Sequence, residues 1–138
     1  MTGDAPPGYP QITPLLFYDD VGNAADWLAR AFGFDIKIRS EGPDGVVAFA
    51  SVRLAEGVVM LSRTDGAYRS PAALSHPSEL TYVYVPDVDR HFEHARSHGA
   101  HIVSEPQDQP YGDRSYTAAD PEGHRWTFAQ LVADVPHA

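Results

Sequence analysis

The sequence predicts an α+β fold built from two tandem βαβββ modules. Two observations carry this. Landmarks recur at a nearly constant interval: Asp20-Val21 and Asp87-Val88 are 67 residues apart, Gly33 and Gly99 are 66 apart, and Glu56-Gly57 and Glu122-Gly123 are 66 apart. Such spacing marks an internal repeat. The apolar pattern also has one order in both halves: a strand-like stretch, a stretch with helical spacing, then three more strand-like stretches.

Taken in order, residues 1–10 are rich in proline and glycine and are expected to form a flexible tail. The first module spans 11–63. Gln11–Tyr18 reads as a strand, and Pro14 places it at a sheet edge or against another subunit, because proline cannot donate to a ladder. A helix follows, with Ala24, Ala25, Leu28, Ala31 and Phe32 at helical spacing, Trp27 widening the stripe and Gly33 as its C-terminal cap. Strands are predicted over Phe34–Ser40, Val46–Leu54 and Val58–Arg63. Residues 64–78 form a connector. The second module, 79–131, repeats the order: strand Glu79–Val85, a helix from Asp87-Val88 with a stripe of Val88, Phe92 and Ala95, Gly99 as cap, strand His101–Ser104 and a loop over Glu105–Gly112. Residues 132–138 form a second tail.

The last element is a hairpin. Asp113–Ala119 and Arg125–Leu131 are its strands, rich in Tyr, Thr, Trp and Phe. Asp120-Pro121-Glu122-Gly123 is its turn, where proline presets φ and glycine accepts positive φ. Tyr111-Gly-Asp-Arg-Ser-Tyr116 followed by Asp120-Pro-Glu-Gly-His-Arg-Trp126 resembles the last hairpin of the vicinal oxygen chelate superfamily. That superfamily includes glyoxalase I, extradiol dioxygenases and bleomycin-binding resistance proteins. The resemblance covers about residues 11 to 131, and it implies that superfamily's architecture, a duplicated βαβββ unit forming curved sheets around a concave cavity. It implies a homodimer, with or without exchanged strands, and one or two ligand cavities.

The metal enzymes of the superfamily hold a divalent ion with His, Gln or Glu at four symmetric positions. Carried onto this chain, these positions are Thr13, Met60, Leu80 and Thr127. Leucine donates nothing, a thioether is soft and weak, and threonine hydroxyls are poor ligands. No metal, no cofactor and no catalytic residue is therefore expected. Alternation from these positions lines the concave face with Leu15, Phe17, Phe49, Ser51, Arg53, Tyr82 and Tyr84. Trp126 is added beside Thr127. Arg114 and Tyr116 share a face of the hairpin, and alternation alone leaves its direction open. Aromatic side chains with polar tips suit a flat or heterocyclic ligand.

The expected function is metal-independent binding of an aromatic antibiotic or secondary metabolite, as the resemblance to the drug-binding branch implies. The alternative is an isomerase, lyase or cyclase of the same superfamily, with Glu79 or His124 as a possible base. A further candidate is the row His91, His94 and His98, with His101 nearby, expected to be solvated or at the edge of the second helix's buried stripe. The formal charge of −9 disfavours nucleic acid. The chain has no cysteine, which excludes disulfides and thiolate chemistry. No stretch reads as a signal peptide or a membrane span, so a cytoplasmic location is expected.

Overall fold

The computed structural model describes residues 5–64, 68–74, 77 and 79–134. The parts of the expected tails and connector at 1–4, 65–67, 75–76, 78 and 135–138 lie outside the described residues. The chain divides into two compact units, Met1–Ser70 and Pro71–Ala138, with the boundary inside the expected connector.

The first unit contains β1 (Leu15–Tyr18), α1 (Val21–Phe32), β2 (Asp35–Glu41), β3 (Val47–Leu54) and β4 (Gly57–Arg63). The second contains α2 (Pro71–Leu74), β5 (Leu80–Tyr84), α3 (Val88–Ser97), β6 (His101–Asp108), β7 (Asp113–Ala119) and β8 (Arg125–Leu131). Each unit forms one four-stranded sheet, ordered β1-β4-β3-β2 and β5-β8-β7-β6. The first strand of each module pairs in parallel with the last, and the other pairings are antiparallel. The α+β class and the duplicated βαβββ unit are thus as expected.

The repeat extends to the register. Leu15 pairs with Met60 and Phe17 with Ser62; Tyr82 pairs with Thr127 and Tyr84 with Ala129. Each residue of the first pair of strands has its counterpart 67 positions later. Both helices also start alike. The Asp20 carboxylate accepts the Asn23 amide at 3.0 Å, and the Asp87 carboxylate accepts the Arg90 amide at 3.1 Å. These are N-caps that satisfy an otherwise orphaned donor. α1 ends at Gly33 with φ of 82°, a left-handed backbone that glycine adopts without a Cβ clash.

Each helix covers one face of its own sheet. From α1, Val21, Ala24, Leu28, Ala31 and Phe32 are buried, and so are Leu16, Tyr18, Ala50, Val52 and Leu61 of the sheet. From α3, Val88, Phe92 and Ala95 are buried, and Phe92 meets Tyr116 edge-on with ring centroids 5.2 Å apart. Full burial of each large apolar side chain contributes roughly 1.5–3 kcal/mol. Among the described residues, no helix of the same unit packs on the opposite face of either sheet.

Several strand ends differ from the sequence reading by a residue, and three differences are larger. β1 begins at Leu15, so Thr13 and Pro14 precede it, although the Pro14 carbonyl still accepts the Met60 amide at 2.9 Å. β1 is an edge strand, as Pro14 implied. β6 continues to Asp108 rather than stopping at Ser104; it passes Pro106 through a register irregularity between Ser104 and Gln107. A bulge removes the ladder donor that proline lacks. The connector also contains a helical turn, α2, which donates its Ala72 amide to the Glu122 carbonyl of the hairpin turn at 3.0 Å.

Candidate functional site

In each unit, the sheet face away from the helix carries several of the residues expected to line a cavity. In the first unit, register places Leu15, Met60 and Ser51 in one row across the sheet, and Phe17, Ser62 and Phe49 in the next. Arg53 follows on the same side, two residues along the strand from Ser51. Thr13 lies just before this face, its hydroxyl donating to the Pro10 carbonyl at 3.1 Å. The face is partly covered from within the unit. The Tyr9 hydroxyl meets the Ser51 hydroxyl at 3.1 Å, and Ser51 is fully buried. The Lys37 ammonium sits 5.4 Å from the Tyr9 ring centroid. Tyr68 stacks on Phe17 at 4.3 Å with planes 6° apart. A pocket bounded by Tyr9, Pro10, Arg53 and Glu56 lies at the margin. Tyr9 falls within the stretch expected to be a free tail, and its packing carried no periodic signal.

In the second unit, Leu80, Tyr82 and Tyr84 project from β5 on the side away from α3, with Thr127 beside Tyr82. The three β5 side chains are 51%, 39% and 55% exposed. Beneath them lies Asp113, fully buried, which sequence reasoning missed. Its Oδ2 accepts the Tyr82 hydroxyl at 2.6 Å and the Tyr84 hydroxyl at 3.0 Å. The two rings meet edge-on at 5.5 Å. The Tyr111 hydroxyl, from the loop before β7, also bonds within this group. Burial, then the carboxylate, pushes the Tyr82 hydroxyl well above its ordinary pKa; for Tyr84 the hydrogen bond to Asp113 dominates. One signal for Asp113 was present. It lies two and four residues from Ser115 and Thr117 on one strand, and Thr117 bonds Thr127 across the sheet at 2.7 Å. The sequence reading placed it as the first residue of the strand Asp113–Ala119 and gave its carboxylate no partner.

Arg114, Tyr116 and Trp126 lie on the other side of the sheet and do not join this face. Strand alternation decides this: Trp126 and Thr127 are neighbours and cannot share a side. Tyr116 pairs with Phe128 under α3 and is fully buried, its hydroxyl 2.6 Å from His91 Nδ1. Burial pushes that phenol above its ordinary pKa. Trp126 is fully buried and donates Nε1–H to Asp120 Oδ2 at 3.1 Å. Arg114 reaches Asp89 of α3 at 3.0 Å and Asp108 at 3.2 Å.

The other constellations resolve in the same way. His91 sits half-buried at the edge of the stripe, its ring 4.2 Å from Phe128. His94 and His98 remain on the exposed side, stacked at 4.2 Å. His124 is buried in the hairpin turn, where Asp120 accepts its amide at 3.1 Å, and Glu79 is exposed. Among the described residues, no three His, Asp or Glu side chains come together to hold an ion. Thr13, Met60, Leu80 and Thr127, onto which the sequence resemblance carries a metal site, offer no carboxylate or imidazole, and the Thr127 hydroxyl is bonded to Thr117. That donor set does not fit a divalent cation, which takes carboxylate or imidazole. No helix among the described residues is long and apolar enough to cross a membrane.

Comparison with known proteins agrees with this architecture. The model of the Glyoxalase/Bleomycin resistance protein/Dioxygenase superfamily matches residues 9–128. An uncharacterized protein of Mycobacterium bovis is 34% identical over 131 residues, covering 91% of this chain and 86% of its own. The crystal structure of TioX from Micromonospora sp. ML1 is 37% identical, with a TM-score of 0.74, covering 88% of this chain and 98% of that one. A structure from the same superfamily in Burkholderia phytofirmans shares the fold at 17% identity, with a TM-score of 0.70 over 87% of this chain and 97% of its own.

Proposed function

The chain belongs to the glyoxalase/bleomycin resistance protein/dioxygenase superfamily, and from that premise we propose that it binds a small aromatic molecule without a metal ion. The natural role is sequestration of an antibiotic or other aromatic secondary metabolite. One observation carries the reading. Where an ion would need hard donors, the chain presents a leucine, a methionine and two threonines, and the sheet faces away from the helices are aromatic. Such a surface binds by burial and stacking, with a few hydrogen bonds for orientation. Together these supply micromolar affinity, about −8 kcal/mol, with no chemistry. The assembly that goes with this reading is a homodimer, which light scattering measures.

The test is a thermal-shift screen of planar aromatic compounds, antibiotics included, repeated in EDTA, with metal analysis of the purified protein. Stabilisation by at least one compound, unchanged by EDTA, with well under one metal per chain, is expected. One zinc, nickel or iron per chain, or ligand binding abolished by EDTA, overturns the proposal.

A further inference from the structure

Tyr82 and Tyr84 form an exposed aromatic pair anchored to a buried charge, and the anchoring fixes their polarity. A phenol hydroxyl has one hydrogen to donate and lone pairs to accept with. Both hydroxyls lie within bonding distance of the same oxygen, Asp113 Oδ2, at 2.6 and 3.0 Å. A carboxylate only accepts. Even a protonated Oδ2 could give its hydrogen to one tyrosine alone, so at least one phenol donates in either state. With Asp113 ionised, both hydrogens point into the protein. What the pair can offer a ligand is ring face and oxygen lone pairs, one of which, on Tyr82, the Tyr111 hydroxyl already uses. Asp113 has no exposure, so a ligand meets its charge through the tyrosines. The Tyr111 hydroxyl closes the same group from the side.

We infer that the Tyr82–Tyr84 face selects planar aromatic ligands by their hydrogen-bond donors, taking molecules that carry N–H or ammonium groups and rejecting those that offer carboxylate or carbonyl oxygens. This rests on the reading that the face binds an aromatic molecule, and it adds which chemistry that molecule has. Three features favour a cation as occupant. Phenol oxygens polarised by a carboxylate are strong acceptors. Aromatic rings attract cations. The chain's formal charge of −9 adds a long-range field of the same sign. Thr127, beside Tyr82, already shares its hydroxyl hydrogen bond with Thr117.

The probes are 9-aminoacridine, a planar cation with N–H donors, and acridine-9-carboxylate, a ring of similar size that offers acceptors. Fluorescence titration of the intact chain should show 9-aminoacridine binding at least about tenfold more tightly, equal to about 1.4 kcal/mol. Asp113→Asn removes the charge behind the pair. With its amide nitrogen in the Oδ2 position it also donates to the phenols and displaces their hydrogens, and with its oxygen there the phenols still donate but the negative charge is gone. Affinity for 9-aminoacridine should fall about tenfold and affinity for the carboxylate should rise, a crossing that simple loss of structure cannot give. Tyr84→Phe, with folding checked by circular dichroism, should weaken 9-aminoacridine and leave the carboxylate unchanged or improved. If both probes bind the wild-type chain equally and Asp113→Asn moves neither, the donor code is wrong while aromatic binding stands. If neither probe nor any other planar compound binds, and light scattering with protection of Tyr82 and Tyr84 from iodination shows a second copy on this face, both readings fall.

Discussion

At the scale of single residues, Asp120 shows how one side chain sets a local structure. Its Oδ1 accepts the amides of Glu122 and His124, at 3.0 and 3.1 Å, and its Oδ2 accepts the Trp126 indole. The turn composition was legible, because Asp-Pro-x-Gly is turn chemistry. The indole bond was not legible, because it depends on where the return strand places Trp126. Asp120→Asn keeps one acceptor and sets an amide N–H₂ against the indole donor. It is expected to lower stability by about 2–3 kcal/mol, the cost of unsatisfied buried donors, as measured by urea denaturation. Loss under 0.5 kcal/mol would show that the turn holds itself. Asp113 is the opposite case: same residue type, same hairpin, but its partners come from another strand and a loop, so local pattern gave no role for it.

At the scale of elements, the helix starts were the most legible feature. Aspartate before an apolar stripe is a capping signal, and it appears at both Asp20 and Asp87. Asp20→Ala and Asp87→Ala should each lower stability by about 1 kcal/mol, with helix content by circular dichroism otherwise retained. No change in either variant would mean that packing alone sets the helix start. Strand faces were legible where a small aliphatic set alternated with a polar or aromatic one. This assigned Phe49, Ser51 and Arg53 away from α1. On β7 and β8 both alternate sets are partly aromatic or buried, so the pattern gave no direction. Tyr116 and Trp126 went to the α3 side because only there can their large rings be fully covered. β6 was read short because Pro106 looks like a strand stop, and the bulge that accommodates it has no sequence mark.

At the scale of the whole molecule, the tyrosines link fold and solution behaviour. Tyr82, Tyr84 and Tyr116, three of the seven in the chain, hold their protons above the ordinary phenol range. Unfolded tyrosines release theirs near pH 10. Above that pH the folded state binds more protons than the unfolded state, so stability must fall as pH rises. Urea midpoints should therefore be level up to about pH 10 and decline beyond it, with tyrosinate absorbance showing a late-titrating class. A flat stability profile to pH 11.5 would contradict this. The sequence by itself determined the duplicated βαβββ order, the helix N-caps, the hairpin and the lack of carboxylate or imidazole at Thr13, Met60, Leu80 and Thr127. These depend on residues close together in the chain or on a simple repeat. Tertiary structure alone decided which side of the last hairpin faces α3, that Tyr9 covers Ser51, and that Asp113 anchors two tyrosines. Those are meetings between side chains on different elements, and their partners are chosen by space to be filled and charge to be satisfied, which no local period encodes.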